Sequence, residues 1–384
     1  MTAPRVFFYV QHLLGIGHLT RVSRVAEALA QDGFDVTMVT GGTPVDGFPA
    51  PHIRHVQLPV LASGDENFSG LVDGEGKPIT DAYRNHRRDC LLAAYDEARP
   101  DIVVTEAFPF GRRQVRFELL PLIERIEATT PRPLLATSVR DILQARTKPG
   151  RDEETVSLVK AHYDAVLVHG DPAFAPLEES FPLATEIADR VRYTGIVAPA
   201  YLQPSADRFD IVVSAGGGAV GQALIEASLD AAALLDPGLS WLVTTGPNLP
   251  ASAFEAITKR APAQVTVTRF RRDFGGLLAN ARLSVSQAGY NTVGDILLAG
   301  CRSVLVPFAA GGETEQKARA ERLAAVGRAV VVDEAELDGR RLAGAVAQAL
   351  APPDPQDIQL KRDGAQGTAR ILKAMLAARA SGTA

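Results

Sequence analysis

Short apolar runs separated by amphipathic stretches recur along nearly the whole chain. In the first half the runs are Val6–Val10, Phe34–Thr40, Ile102–Thr105, Leu134–Thr137 and Ala165–His169. In the second they are Phe209–Ser214, Trp241–Thr245, Val265–Thr268, Leu283–Ser286, Val304–Pro307 and Ala329–Val332. Apolar side chains fall on successive positions instead of alternate ones. That pattern predicts strands covered on both faces, the state of parallel strands sandwiched by helices. Helical spacing marks Leu19–Ala30, Gln222–Leu235, Thr314–Val326, Arg340–Ala349 and a last helix over about Asp357–Ala378.

One opening occurs twice. Val6–Val10 leads through Gly15 and Gly17 into a helix, Gly33 stops it, and the next strand ends in Gly41-Gly42. Phe209–Ser214 leads through Gly216, Gly217, Gly218 and Gly221 into a helix, and the next strand ends in Gly246-Pro247. Strand, glycine loop, helix, strand is how a doubly wound domain begins. The expected class is α/β with two doubly wound, Rossmann-like domains. A strand closes at Tyr193-Thr194-Gly195, and prolines punctuate Ala198 to Ser205. The expected boundaries are therefore 1–198, a linker over 199–208, and 209–384. Residues 62–78, rich in Gly, Asp, Glu and Ser and without periodicity, read as a mobile, lid-like loop.

Composition narrows the function. A chain of 384 residues exceeds one ordinary core, which agrees with two domains. A net charge of -5 argues against a nucleic-acid partner. Cys90 and Cys301 are far apart and imply neither a disulfide framework nor a zinc site, and no metal is expected. The opening run Arg5–Val10 is too short for the core of a signal peptide, and no stretch reaches transmembrane length. The expectation is a cytoplasmic chain, with peripheral attachment to a membrane left open.

Candidate chemistry concentrates in Ser284-Val285-Ser286-Gln287-Ala288-Gly289-Tyr290-Asn291-Thr292-Val293-Gly294-Asp295. A strand, the glycine loop Ala309–Gly312 and Glu313-Thr314-Glu315-Gln316 follow. This order sets two helix N-termini side by side at one sheet edge. Their free N–H groups and dipoles suit a diphosphate, and a carboxylate one turn on suits ribose hydroxyls. The glycines at 216–221 fit the dinucleotide pattern, which also needs an acid at the end of the next strand. That strand ends Val243-Thr244-Thr245-Gly246, and the first-half equivalent ends Val39-Thr40-Gly41. A nicotinamide or flavin cofactor is therefore not expected, and no cofactor is. Phosphate cradling survives, because it needs only close backbone approach. The plain alternative is that these glycines only permit tight turns.

These residues resemble the GT-B glycosyltransferases, and family 28 in particular. That family includes the N-acetylglucosaminyltransferase of peptidoglycan lipid II synthesis and the diacylglycerol glycosyltransferases. The resemblance is most specific over Ser214 to Val332 and weaker over Arg5 to Gly42. Over nearly the whole chain it extends to a bacterial group known only as predicted glycosyltransferases, which open like Tyr9-Val10-Gln11-His12-Leu13-Leu14-Gly15-Ile16-Gly17-His18. It implies an interdomain cleft, a sugar nucleotide held mainly by the second domain, and an acceptor on the first. It implies that Ser214, Gly216, Gly217 and Gly218 face the diphosphate and that Phe270 borders the base. Gly289, Asn291 and Thr292 would lie near the phosphates, Asp295 at the ribose, and Glu315 and Gln316 at the sugar hydroxyls. Two departures stand out. Asp295 replaces a usual glutamate and is one methylene short. Gln287 stands where the lipid II enzyme has an arginine, which leaves the base and donor open. The family also commonly ends in a helix that crosses back to the first domain.

Inverting glycosyl transfer needs a base, a stabilised leaving group and an aligned anomeric carbon. His18, after the Gly15/Gly17 loop, is the first candidate for general base; it would otherwise line the helix start. Glu106 is the alternative base or an acceptor ligand; it would otherwise be a helix-start carboxylate. Arg140-Asp141 and His169-Gly170-Asp171 follow later strands and would complete a polar acceptor-side wall with Gly15 and Gly17. Arg112, Arg113 and Arg116, interleaved with Phe110 and Phe117, would meet an anionic acceptor or headgroups, or form a solvated helix face. Arg269, Arg271 and Arg272 around Phe270 are equally ambiguous. The expected function is metal-independent, inverting transfer from a nucleoside diphosphate sugar, most simply a UDP-sugar, to an acceptor the sequence does not name. The rivals are a UDP-sugar 2-epimerase and a non-catalytic nucleotide-sugar binder.

Overall fold

The structure is a computed structural model that describes residues 3–13, 16–64, 70–146, 148–216, 221–246, 249–309, 312–352 and 359–382. The chain forms two compact units, Met1–Val197 with Leu360–Ala384, and Ala198–Gln359.

The first unit begins with β1 (Arg5–Val10), α1 (Gly17–Gln31), β2 (Asp35–Thr40) and β3 (Arg54–Gln57). A small antiparallel pair follows, β4 (Ala62–Ser63) and β5 (Leu71–Val72), so the region expected as a mobile, lid-like loop carries paired strands in its described part. Then come α2 (Asp81–Ala98), β6 (Ile102–Glu106), α3 (Arg116–Ala128), β7 (Leu134–Arg140), α4 (Arg151–His162), β8 (Ala165–His169) and β9 (Val191–Tyr193). The seven strands run parallel in the order β3-β2-β1-β6-β7-β8-β9. Phe7, Tyr9, Val103 and Leu135 are buried on one face, and Phe8, Val10, Ile102 and Val104 on the other. Helices cover both faces, as the unbroken apolar runs require.

A polar knot is buried inside this unit. Arg87 of α2 donates to both oxygens of Glu118 of α3, at 2.6 and 3.0 Å, and to Gln11 Oε1 at 2.6 Å. It also reaches the carbonyl oxygens of Gly41, at 2.9 Å, and Pro59. The Tyr9 hydroxyl donates to Glu118. A Cβ on Gly41 would lie 2.0 Å from the Arg87 guanidinium, which explains the glycine there.

The end of the chain completes the first unit. Lys361 N donates to Asp171 Oδ2 at 2.9 Å, Ile196 N to Lys361 O at 2.7 Å, and Gly364 N to Ile196 O at 3.0 Å. The last helix, α11 (Gly364–Ala380), lies on α1, with Lys373 paired to Asp32. Cβ atoms at Gly364 and Gly367 would sit 2.1 and 2.0 Å from the carbonyl oxygens of Gly195 and Thr194, so the helix start packs backbone to backbone. Because α11 follows the whole second unit, the first is discontinuous in sequence.

The second unit runs β10 (Ile211–Ser214), α5 (Gln222–Leu234), β11 (Trp241–Thr244), α6 (Ala251–Arg260), β12 (Val265–Thr268), α7 (Phe274–Asn280) and β13 (Leu283–Ser286). It continues with α8 (Tyr290–Ala299), β14 (Arg302–Leu305), α9 (Glu315–Ala325), β15 (Ala329–Val331) and α10 (Gly339–Leu350). Its parallel sheet is ordered β12-β11-β10-β13-β14-β15. Trp241, Val213, Val285 and Val304 centre a core completed by α5 and α10. Asp338 caps α10 by accepting from Arg341 N at 2.7 Å, and Gly300, at φ 70°, ends α8 in the left-handed region.

Candidate active site

In each sheet the strand order reverses at one point, between β1 and β6 in the first unit and between β10 and β13 in the second. Connections leave the two sides of such a point in opposite directions and open a crevice at the strands' carboxyl ends.

At the first switch point, two of the sequence candidates meet. His18 lies in the first turn of α1, just after β1, and Glu106 is the last residue of β6. His18 Nδ1 is 2.9 Å from Glu106 Oε1. Arg21, one turn along α1, donates to the same oxygen, and its Nη2 is 3.4 Å from His18 Nδ1. Glu106 and Arg21 are buried, and the His18 side chain keeps 20% exposure. Burial alone would raise the Glu106 pKa, but Arg21, His18 and Ser138 outweigh it and hold the group well below the usual carboxylate range. Burial, helped by the nearby Arg112 charge, pushes His18 down to about 3 against the pull of Glu106. His18 is thus a neutral imidazole beside a carboxylate. A carboxylate only accepts, so the ring proton is on Nδ1 and the lone pair on Nε2.

The other first-unit candidates divide. His169 is buried two strands away and hydrogen-bonded to Ser138 and Thr194. Asp171 accepts from Ala173 N and Lys361 N, and Asp141 Oδ1 accepts from Ile142 N at 2.8 Å. Both carboxylates hold backbone in place. Arg140 ends β7 half-buried, Gly17 opens α1, and Gly15 lies outside the described residues. Of the arginine run, Arg113 and Arg116 both pair with Glu154 of α4, and Phe110 packs edge-on to Phe181 with centroids 5.1 Å apart. The run is therefore not a single solvated helix face. Arg112 has φ 56° and is pushed down to about 10, mainly by burial.

At the second switch point, Ser214 and Ser286 are register partners at the ends of β10 and β13. Beyond them a Cβ on Gly216, at φ 78°, would lie 2.9 Å from Gln287 Oε1, so the two loops touch. Gly289 precedes α8, Asn291 and Thr292 fall in its first turn, and Asp295 follows one turn on. Glu315 opens α9, and Gln316 Oε1 accepts from Phe308 N at 3.2 Å. Phe270, after β12, is 61% exposed. Arg269 lies over the Phe254 ring and Arg271 pairs with Asp273 and Asp207, so these two arginines are engaged within the fold. Gly217 and Gly218 lie outside the described residues.

Sequence reading missed Arg21, Ser138 and Thr194 in the first unit and Arg319 in the second. Arg319 is buried, donates to Ala288 O at 2.8 Å and lies 5.8 Å from the Tyr290 ring centroid. Arg21 carried a signal: it sits three residues after His18, on the same helix face. Among the described residues no three His, Cys, Asp or Glu side chains gather as metal ligands.

Residues 211–374 match the glycosyltransferase family 28 C-terminal domain, which takes in the second switch point. The second half of the chain is thus similar to the C-terminal domain of family 28 glycosyltransferases, and the chain as a whole has the GT-B fold. Two curated relatives carry the name UDP-N-acetylglucosamine--N-acetylmuramyl-(pentapeptide) pyrophosphoryl-undecaprenol N-acetylglucosamine transferase. That of Rhizobium meliloti is 33% identical over 131 residues, a segment covering 33% of this chain and 35% of the relative. That of Sinorhizobium fredii is 27% identical over 381 residues, 96% of this chain and 94% of the relative. Among solved structures, the calicheamicin glycosyltransferase CalG4 superposes with TM-score 0.63 at 18% identity, covering 100% of this chain and 98% of that one. MurG of Acinetobacter baumannii gives 0.62 at 16% identity, covering 97% and 100%. These two likenesses establish the fold.

Proposed function

We propose that this protein transfers a sugar from a UDP-linked donor to an acceptor hydroxyl by metal-independent, inverting displacement, with His18 as the base. The observation that carries the reading is the meeting of His18 and Glu106 at the first switch point. Nε2 of the neutral His18 takes the acceptor proton as the bond to the sugar forms, and Glu106 at Nδ1 offsets part of the burial and Arg112 repulsion that disfavour the imidazolium. The donor belongs to the second unit. The N-termini of α8 and α9 offer positive dipole ends to the leaving diphosphate, which is the ground for a mechanism without metal. Asp295 receives the ribose and Glu315 and Gln316 the sugar. The relatives' name makes UDP-N-acetylglucosamine the first donor to test and a lipid-linked acceptor the first class to try. Among the described residues no helix is long and apolar enough to cross a membrane, and peripheral contact is the proposed route to such an acceptor.

The test is binding followed by turnover. UDP and UDP-N-acetylglucosamine should raise the melting temperature equally with and without chelator. Asp295→Ala should weaken UDP binding by about tenfold, the worth of one hydrogen bond to a charged group, while leaving the melting temperature of the unliganded protein within a few degrees. Unchanged UDP affinity in the folded variant would move the donor site elsewhere. Conversion of the UDP-sugar to an epimer without acceptor would favour the isomerase.

A further inference from the structure

The second carboxylate oxygen of Glu106 leads away from His18. Oε2 is 2.6 Å from Ser138 Oγ, Ser138 Oγ is 2.8 Å from His169 Nε2, and His169 Nδ1 is 2.8 Å from Thr194 Oγ1. Ser138 and His169 are fully buried and Thr194 is 3% exposed. The line crosses the carboxyl ends of β6, β7 and β8 and the residue after β9.

The protons in this line can be assigned one by one. Glu106 Oε1 takes a donor from Arg21, a permanent cation, which holds the group as a carboxylate that only accepts, so His18 Nδ1 must donate to it. Ser138 has one proton and gives it to Oε2. His169 then faces a serine lone pair and must present Nε2–H. Its Nδ1 is left as a lone pair and takes the hydroxyl proton of Thr194. The carbonyls of Gly195, at 3.0 Å, and Val168, at 3.3 Å, are rival acceptors for that proton, and the His169 lone pair at 2.8 Å is the shortest of the three. Every proton points toward Glu106, and the two histidines hold opposite tautomers. Hydrogen bonds aligned head to tail polarise and strengthen one another.

We propose that Ser138, His169 and Thr194 are positioning residues, a one-directional relay that keeps Glu106 ionised and aimed at His18, and so keeps the His18 lone pair on Nε2. The proposal rests on the reading of His18 as base. It adds three residues that touch neither substrate nor the reacting atoms.

Nitrogen-15 NMR of the histidine side chains in the full chain tests this without any acceptor. His18→Gln and His169→Gln samples assign the two rings among the seven histidines. At neutral pH His18 should carry its proton on Nδ1 and His169 on Nε2. In Ser138→Ala the His169 proton should move to Nδ1, facing Thr194, and the His18 Nδ1 proton should exchange with water about tenfold faster, as expected when one hydrogen bond is lost from the line. Thr194→Val keeps the shape and should leave His169 as Nε2–H, with Nδ1 deprived of the Thr194 hydroxyl. His169 found as Nδ1–H in the wild type, or both rings unchanged in Ser138→Ala, would overturn the relay and leave the base reading standing. His18 found as Nε2–H would remove the base reading itself, while UDP binding reports separately on the donor.

Discussion

Glu106 Oε1 is shared by a histidine and an arginine, and the sharing has consequences in solution. In the proposed mechanism, Glu106→Gln removes the charge that stabilises the His18 imidazolium. Turnover of UDP-sugar, read as UDP release, should fall by about 10²- to 10⁴-fold with UDP affinity unchanged. The histidines also tie stability to pH. His18 and His169 are both pushed down to about 3, chiefly by burial, from an ordinary 6.5. Below about 6.5 the unfolded chain binds protons that the folded chain refuses. Their contribution is therefore complete above that pH and is lost as pH falls toward 3. The urea midpoint should drop steadily on acidification from pH 7, and His169→Gln should make the drop shallower. An equal slope in the variant would mean that His169 is not a neutral buried ring. Much of this constellation was legible: His18 and Glu106 each follow an apolar run, where open sheets collect ligands. Ser138 was not, because a serine inside a strand has no sequence mark distinguishing a relay from a filler.

Elements were read where apolar runs were unbroken and lost where burial was polar. The runs correspond to eleven of the strands, within a few residues at each end. Helix α2 was missed because its buried face holds Arg87 beside Leu91, Ala94 and Tyr95, which blunts the helical period. The same arginine is what joins α2 to α3 and to the loops after β2 and β3. Arg87→Met should destabilise the first unit by about 3–5 kcal/mol, since Glu118 would keep a buried charge with only Tyr9 beside it. Replacing both partners by apolar residues should cost less. Urea denaturation of the single and double variants checks this, and equal losses would show that the loops, not the unpaired charge, carry the effect.

At the level of the whole molecule, the chain leaves the first unit after Val197 and re-enters it at Leu360. The two crossings are neighbours, with Val197 bridged to Asp363. A chain of residues 1–197 alone lacks the helix that covers α1 and should be insoluble or molten. The same residues joined to 360–384 by a short glycine-serine linker should give a cooperative unfolding transition in circular dichroism. Sequence periodicity located α11 but not its partner, because its alanine-rich stripe fits many surfaces. The discontinuity also bears on biosynthesis. During translation at about 5–20 residues per second, residues 198–359 emerge before α11 does, so the α1 face waits on the order of ten seconds for its cover. For that interval the nascent chain shows a ribosome-bound chaperone an apolar surface that the finished protein hides. A premature stop near codon 359 would accordingly injure the unit made first and spare the one made last.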